Sequence, residues 1–291
     1  MVVVRDGAQG LEVFCVLRHQ KSSFLGGAVV FPGGKVEEAD GADVWTSLAT
    51  EPHPRGADMV DTGPSVRAVA VAACREALEE GNIIPLVREG WSPSAEAPAA
   101  VVGDAEVDAL RREAGGADGG LAVAVARRGL RLALHTLVPW ARWVTPEAES
   151  RRYDARFFLL ELPLGQVGRH DEHETTMSFW ARPTTVLQRF ARGEIFLAPP
   201  TTRTLETLTA APDVRAAFEL AAQQSLRPIC PHFVPDDVAP FLALPGDPAH
   251  AVRERRVNGP TRFVLRDARF VSEDPPGAIE DGGATGGRAT T

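Results

Sequence analysis

Three glutamates close to the end of one predicted helix constrain this chain more than any other feature of its sequence. Glu76, Glu79 and Glu80 stand at positions i, i+3 and i+4, so a helix would place their carboxylates on one side. The helix is predicted to stop at Gly81 and Asn82, where its macrodipole disfavours negative charge and where neighbouring carboxylates also repel each other. A bound cation would offset both costs. The pattern therefore favours a divalent metal site with oxygen ligands, and the plain alternative is a solvated helix face.

Two segments around these glutamates resemble the halves of the Nudix box, the signature motif of the Nudix hydrolase family. That motif reads G-x5-E-x7-R-E-U-x-E-E-x-G-U, where U is a bulky aliphatic residue. Its first half is matched by Gly34 and, with aspartate in place of glutamate, by Asp40; its second half is matched from Arg75 to Ile83. Asn82 stands in place of the closing glycine. Residues 41–74, 34 in number, separate the two halves, so the box contains an insertion that we place at about 41–64.

The insertion, the segment before it and three later segments resemble one branch of this family, nucleoside diphosphate-linked moiety X motif 19. The similar segments are Ser22 to Asp40, Pro139 to Pro146, Arg151 to Leu159 and Gly193 to Pro200. With weaker matches further on, the similarity covers roughly residues 1–250. For that branch it implies a diphosphatase that uses Mg²⁺ or Mn²⁺ and acts on coenzyme A and its acyl derivatives.

The chemistry of a diphosphate suggests a role for each charged residue of the second half. The negative oxygens of the linkage repel an attacking hydroxide, and divalent ions held by Glu76, Glu79 and Glu80 would neutralise that charge and activate a water. Glu79 is the predicted general base, and Glu76 is its rival. Arg75 is predicted to orient a carboxylate through a bidentate bond rather than to touch the substrate.

Further ligands are predicted outside the second half of the box. Gly33 and Gly34 would let the main chain approach closely, Gly33 to the metal and Gly34 to a substrate phosphate. Nudix enzymes often recruit one more acid from a loop, and the H-D-E-H-E run of residues 170–174 could supply Glu172 or Glu174. A solvated loop and a separate transition-metal site are the alternatives for this run.

Substrate contacts are less well defined by the sequence. Arg18, His19 and Lys21 follow a predicted strand and could bind a substrate phosphate, such as the 3′-phosphate of coenzyme A, or could be ordinary surface residues. Trp140 and Trp143 could stack on an adenine, and the alternative is packing in the core.

Composition points to a small-molecule partner. The net charge of −8 over 291 residues argues against nucleic acid or a membrane surface as the main partner, and no apolar run approaches the length of a membrane span.

Cys15, Cys74 and Cys230 are odd in number and far apart, which indicates free thiols in a reducing compartment. We expect a cytoplasmic protein that binds a nucleoside diphosphate derivative. A homodimer is left open.

The order of predicted elements favours an α+β fold, a Nudix-type α/β/α sandwich with a curved mixed sheet. Ser65 is the predicted N-cap of the glutamate helix, and Asp104 that of the next helix. Residues 91–138 are interpreted as a helical addition to one domain over 1–271, and 272–291 as a disordered tail. Strands are predicted at Met1–Val4, Leu11–Arg18, Ala28–Phe31, Phe157–Glu161, Thr176–Ala181 and Arg262–Phe270, and helices at Ser65–Glu80, Asp104–Ala114, Leu121–Leu134, Pro183–Arg192 and Pro212–Gln224.

Three functions are compatible with this sequence. The first is hydrolysis of coenzyme A or acyl-coenzyme A to 3′,5′-ADP and a 4′-phosphopantetheine product. The second is a Nudix pyrophosphatase for ADP-ribose, NADH or nucleotide sugars. The third is a non-catalytic Nudix module that binds a ligand. The three clustered glutamates argue against the third, because a binding module has no reason to retain acids that repel one another.

Overall fold

The computed structural model describes residues 1–19, 27–91, 101–116, 120–146, 152–170, 175–236 and 239–276. Within these ranges the strands are β1 (Val2–Gly7), β2 (Gly10–Arg18), β3 (Val29–Val30), β4 (Leu86–Arg88), β5 (Leu130–Leu132), β6 (Val138–Val144), β7 (Asp154–Glu161), β8 (Thr175–Ala181), β9 (His232–Val234), β10 (Phe241–Ala243), β11 (Arg262–Arg266) and β12 (Arg269–Glu273). The α-helices of the same ranges are α1 (Trp45–Leu48), α2 (Val66–Gly81), α3 (Asp104–Ala114), α4 (Gly120–Arg127), α5 (Pro183–Ala191), α6 (Pro199–Leu208) and α7 (Val214–Gln223). Short 3₁₀ helices occur at Glu38–Gly41, Pro54–Met59 and Leu134–Thr136.

A six-stranded mixed sheet forms the middle layer of the molecule. Its order is β3-β2-β1-β7-β6, and β8 also pairs with β2. The strands β1 and β7 run parallel, with Val3 opposite Leu160, whereas the other described pairs of this sheet are antiparallel. Two smaller sheets accompany it, β4 with β5 and the four strands β9 to β12.

Helices cover both faces of the middle sheet. Successive residues of a strand point to opposite faces, so each strand contributes side chains to both cores. In β1, Val3 packs in the core that includes α2, whereas Val4 packs in the core that includes α5, α6 and α7. In β2, Phe14 and Val13 divide between the two cores in the same way. The predicted α+β class and its mixed sheet between helices are therefore confirmed. The single domain over residues 1–271 stays a prediction.

Helix α2 carries the three glutamates and begins and ends as its sequence predicts. The Ser65 side chain accepts a hydrogen bond from the Ala68 main-chain nitrogen at 3.2 Å, which caps the first turn. At the other end, Asn82 adopts the left-handed conformation with φ 52°. Asparagine tolerates this conformation better than most residues with a β-carbon, which explains why it can replace the glycine of the motif.

The insertion inside the box packs onto distant parts of the chain. Arg55 donates hydrogen bonds to the main-chain oxygens of Ala221 and Gln224 at the end of α7, at 2.7 and 2.8 Å. The Thr50 nitrogen donates to the Leu132 oxygen in β5 at 2.8 Å. These contacts anchor the insertion on both sides of its path, so the chain returns to the start of α2 from a defined position.

The predicted helical addition differs from the structure in two ways. Helix α3 has the predicted bounds, but Gly103 is its N-cap, and the Asp104 side chain instead accepts a hydrogen bond from the Val167 nitrogen at 3.2 Å. The predicted helix Leu121–Leu134 is wrong in its second half. Gly129 adopts φ 59° after α4, and the chain continues into the strand β5. A glycine in this conformation ends a helix that hydrophobic spacing alone would extend.

The C-terminal region also departs from its prediction. The single predicted strand Arg262–Phe270 is a hairpin of β11 and β12, whose turn places Asp267 and Ala268 at φ 49° and 60°. The predicted disordered tail begins too early, because Ser272 pairs with Phe263 within this hairpin. Residues 277–291 lie outside the described residues.

None of the three cysteines, Cys15, Cys74 and Cys230, forms a disulfide bond with another described residue. Cys15 and Cys74 are buried, and burial raises the pKa of Cys15 to about 12, which keeps it in the unreactive thiol form. Within the described ranges, no helix combines the length and apolar character needed to span a membrane.

Candidate active site

Arg75 connects the two halves of the box. Its guanidinium binds Asp40 through two hydrogen bonds, Nε to Oδ1 at 3.1 Å and Nη2 to Oδ2 at 3.0 Å. Its Nη1 donates to Glu76 Oε1 at 2.8 Å and to Glu79 Oε2 at 3.1 Å. A further bond reaches the Lys35 main-chain oxygen at 2.8 Å. One side chain of the second half therefore orients three carboxylates and holds the first half against them.

Asp40 is the residue that departs from the motif's glutamate, and it serves this junction. Its side chain is 2% exposed, and both oxygens accept hydrogen bonds from Arg75. The Glu37 nitrogen also donates to Oδ2 at 2.8 Å. A buried carboxylate needs such partners, so this pair ties the chain before the insertion to the helix after it.

The glycine turn of the first half contacts the glutamates directly. The Gly33 nitrogen donates to Glu80 Oε2 at 2.9 Å. Gly34 lies so close to the Glu76 carboxylate that a β-carbon at this position would overlap it. Glycine is therefore required here for space rather than for an unusual backbone conformation. The two halves of the box meet despite the insertion.

Glu80 is the most buried of the three glutamates. It is 3% exposed, and Arg18 Nη1 lies 4.0 Å from its Oε1. Burial raises the pKa of Glu80 to about 7, although the Gly33 hydrogen bond and the Arg18 charge both lower it. The surroundings thus do not fully compensate the charged carboxylate, and an additional cation would stabilise it.

Glu79 faces the outside of the cluster. Its side chain is 51% exposed, whereas that of Glu76 is 14% exposed. Burial raises the pKa of Glu79, an effect that the Arg75 charge opposes and the Glu76 charge reinforces. A solvent-accessible carboxylate with a raised pKa is suited to accept a proton from a water.

The site has the oxygen donors that a hard divalent cation prefers. Among the described residues, no three acidic, histidine or cysteine side chains already converge as a ligand cluster. Glu76 and Glu79 are instead held by Arg75, and Glu80 by Gly33. The buried, incompletely compensated carboxylate of Glu80 fits a cation at this position, and the absence of a side chain at Gly34 leaves room for the Glu76 carboxylate.

The predicted contacts outside the box lie only partly within the described residues. Arg18 lies beside the glutamates, and in the described part of the chain its Nε has no hydrogen-bond partner. Lys21 and Glu174 lie outside the described residues. His170 is described at the start of its acidic run, and its main-chain nitrogen and Nδ1 lie 3.0 and 3.1 Å from Ser178 Oγ in β8.

The tryptophans Trp140 and Trp143 lie away from the glutamates. They are 2% and 4% exposed and pack in the core on the face of the sheet opposite α2. The core-packing alternative therefore applies to both, and stacking on an adenine at this site is wrong.

The end of α2 is held by residues that the sequence analysis missed. The Arg111 guanidinium donates to the main-chain oxygen of Glu79, and the Arg169 nitrogen donates to the oxygen of Gly81 at 2.7 Å. Gln166 binds both the nitrogen and the oxygen of Ile84, at 3.0 and 2.9 Å. No motif or periodicity signals these contacts, since Arg111 is 32 residues from Glu79 and Gln166 is 82 residues from Ile84.

Comparison with known families agrees with this geometry. The NUDT19 Nudix domain family matches residues 57–208, more than half of the chain. This chain belongs to the Nudix hydrolase family, in its NUDT19 branch. The resemblance drawn from the box is thereby confirmed. The match begins at residue 57, inside the insertion, and therefore does not include the first half of the Nudix box with Gly34 and Asp40. The contact between Asp40 and Arg75 connects this half to the site.

Individual Nudix relatives show the same likeness. The chain is 30% identical over 221 residues to acyl-coenzyme A diphosphatase NUDT19 of Gallus gallus, covering 65% of this chain and 58% of that protein. It is 28% identical over 228 residues to the Homo sapiens protein of the same name, covering 66% and 59%. The chain thus spans less than two thirds of the length of these relatives. A crystal structure of a Nudix hydrolase from Alicyclobacillus acidocaldarius is 30% identical, with a TM-score of 0.58, and the likeness covers 75% of this chain and 92% of that one.

Proposed function

We propose that this protein hydrolyses the diphosphate linkage of coenzyme A or acyl-coenzyme A, releasing 3′,5′-ADP and 4′-phosphopantetheine or its acyl derivative. The observation that carries the proposal is the hydrogen bond from Gly33 to Glu80, because it brings the glycine turn to the glutamates across the insertion. Relatives named acyl-coenzyme A diphosphatases support the choice of substrate.

Glu76, Glu79 and Glu80 would hold Mg²⁺ or Mn²⁺. When bound, the ion supplies neutralisation of the diphosphate charge and a water of lowered pKa. Arg75 keeps Glu76 and Glu79 on the same side of α2, so that their carboxylates face one substrate. Glu79 accepts the proton of the attacking water on its exposed carboxylate, and Glu76 is the rival for this role. Gly34 leaves the space that Glu76 occupies.

Arg18 is our candidate for binding a substrate phosphate. It lies next to Glu80, it is positively charged, and its Nε lacks a partner within the described ranges. A guanidinium can bind a phosphate through two parallel hydrogen bonds. Lys21 follows closely in the chain and is proposed to bind the same substrate, with the 3′-phosphate of coenzyme A as the expected contact.

The proposal is tested by a screen of diphosphates with Mg²⁺ or Mn²⁺. Coenzyme A, acyl-coenzyme A, ADP-ribose, NADH and a nucleotide sugar are incubated with the wild-type protein, Glu79→Gln and Glu80→Gln, and products are identified by mass spectrometry. Glu219→Gln is the matched control, because Glu219 is an exposed glutamate of α7 that pairs only with a surface arginine among the described residues.

We expect the coenzyme A substrates to be hydrolysed fastest, and both site variants but not the control to lose activity. If ADP-ribose, NADH or the nucleotide sugar is hydrolysed faster than coenzyme A, that compound replaces coenzyme A as the proposed substrate. If the wild-type protein and the site variants bind these compounds equally well and hydrolyse none of them, the protein is a non-catalytic module.

A further inference from the structure

Helix α3 contacts the end of α2, where two of the three glutamates stand. The last carbonyl oxygens of a helix have no partner within the helix. The oxygens of Ala77 and Leu78 accept hydrogen bonds from the residues that close α2, Asn82 and Ile83. The next oxygen, that of Glu79, accepts its bond from the Arg111 guanidinium of α3.

A second contact holds the same end of α2 through the first turns of α3. The Arg169 nitrogen donates to the Gly81 oxygen at 2.7 Å. The Arg169 guanidinium in turn binds Asp104 Oδ2 at 2.7 Å and Asp108 Oδ2 at 2.6 Å. The acidic first half of α3 therefore anchors the segment that covers Gly81, while its basic second half binds Glu79.

The two helices are also packed together. Val107 and Leu110 of α3 are fully buried in the core that contains Leu78 of α2. Arg111 follows directly after Leu110, so its position relative to α2 is set by this packing. The guanidinium is carried by a helix that cannot shift without opening the core.

This arrangement addresses a specific weakness of the site. The last turn of a helix is the part that frays most easily, and its macrodipole disfavours the carboxylates of Glu79 and Glu80. A guanidinium on the Glu79 oxygen offsets the negative end of the dipole and satisfies an oxygen that would otherwise need water. Arg111 thus acts on the main chain of a residue whose side chain takes part in the chemistry.

We propose that Arg111 is a positioning residue for the hydrolysis: by binding the main-chain oxygen of Glu79, it holds the last turn of α2 so that the carboxylates of Glu79 and Glu80 face the site. The inference rests on the proposed function, and it extends the site into the helical addition, which is not part of the Nudix box.

The test compares Arg111→Gln and Arg111→Lys with Arg112→Gln. Arg112 is the next residue of α3, is exposed, and loses the same charge in its variant, so it is a matched control. Three quantities are measured: the dissociation constant of Mn²⁺ without substrate by calorimetry, kcat and KM for coenzyme A at saturating Mn²⁺, and hydrogen exchange of the Asn82 and Ile83 amides.

For Arg111→Gln we expect about tenfold weaker Mn²⁺ binding and about tenfold lower kcat, as for other groups that orient metal ligands, with KM unchanged. The Asn82 and Ile83 amides should lose protection from exchange. Arg111→Lys should recover part of each effect, because it keeps the charge but not the planar fork. Arg112→Gln should equal the wild-type protein.

Equal Mn²⁺ affinity, kcat and exchange in Arg111→Gln and Arg112→Gln would overturn the inference. If Arg111→Gln does not fold, Arg111→Met decides, because it keeps the apolar stem of the side chain and removes only the guanidinium. Weaker Mn²⁺ binding and lower amide protection in Arg111→Met than in Arg112→Gln support the inference, and equal values overturn it. If the wild-type protein hydrolyses no diphosphate, the proposed function fails, yet Mn²⁺ binding and hydrogen exchange still decide the role of Arg111.

Discussion

Asp40 at the candidate site and Asp247 in the C-terminal region are both buried, and each is bound by an arginine through two hydrogen bonds. Arg262 donates to Asp247 at 2.8 and 3.1 Å, and Arg75 donates to Asp40 at 3.1 and 3.0 Å. The Asp247 carboxylate also accepts hydrogen bonds from the Thr261 hydroxyl and the Ala249 nitrogen. In that second pair, one negative charge faces one positive charge.

The candidate site has an excess of negative charge instead. Arg75 is shared by three carboxylates, and Glu80 adds a fourth, with Arg18 at 4.0 Å. Burial alone would raise the pKa of Asp247, but its hydrogen bonds lower it overall, whereas burial raises the pKa of Glu80 to about 7. A buried carboxylate matched by one arginine keeps a lowered pKa, whereas the unmatched carboxylates around Glu80 leave a place for a cation.

Replacing the uncompensated carboxylate should have the largest effect on activity. We expect Glu80→Gln to lower kcat/KM for coenzyme A by about a thousandfold, or about 4 kcal/mol, because a neutral amide cannot hold the cation that the reaction needs. Steady-state kinetics with Mn²⁺ measure this. Retention of more than a tenth of the wild-type activity would contradict a metal-binding role for Glu80.

The two arginines should separate stability from activity. Arg262→Gln and Arg75→Gln each leave a buried aspartate without its charged partner, which should lower the free energy of unfolding by about 3 kcal/mol. Only Arg75→Gln should also slow hydrolysis by the folded protein, by about a hundredfold, because the substitution releases the carboxylates that Arg75 orients. Denaturant titration and kinetics on the same samples measure both. Loss of activity in folded Arg262→Gln would show that the C-terminal region takes part in the reaction.

The raised pKa of Glu80 predicts a pH dependence for the protein without metal. Because its folded pKa of about 7 exceeds the ordinary value of 4.5, folding favours the protonated form, and stability should fall as the pH rises from 5 to 8. The expected loss is about 2 kcal/mol. Unfolding at several pH values in the presence of a chelator measures it. The free energy of unfolding should fall less steeply with pH in Glu80→Gln than in the wild-type protein. An equal pH dependence in both proteins would assign the effect to other groups.

Adding a side chain at position 34 should have the smallest effect of the four predictions. Gly34→Ala places a methyl group where the Glu76 carboxylate lies, so we expect a loss of about 1 kcal/mol in stability and a several-fold lower kcat. Gly63→Ala is not a neutral control because of its positive φ, so Gly41→Ala, which has only an ordinary contact with Ala68, serves instead. Equal kcat in the two variants would mean that the site adapts to the added methyl group.

Local rules predicted the helix that carries the glutamates. The cap at Ser65, the left-handed end at Asn82 and the placement of three carboxylates on one side all follow from residue types and a period of 3.6. These features depend on neighbours within a few residues, which a sequence displays directly.

Other elements carried misleading local signals. The strand β6 contains Pro139, which is unfavourable in a sheet interior, and α6 begins with two prolines that are also typical of loops. The hairpin of β11 and β12 turns at Asp267 and Ala268, a pair without the glycine that marks most tight turns. In each case the pairing or packing with another element outweighs the local preference.

The sequence alone determined which chemical groups the site has: three glutamates, an arginine, two glycines and an aspartate at recognisable spacings. Tertiary structure decided how they are used. Only the folded chain shows that Asp40 binds Arg75 across 34 residues, that Glu80 is buried, and that Arg111 supports the Glu79 main chain. Helix periodicity acts between residues a few positions apart, whereas burial and long-range hydrogen bonds depend on how all the intervening elements pack.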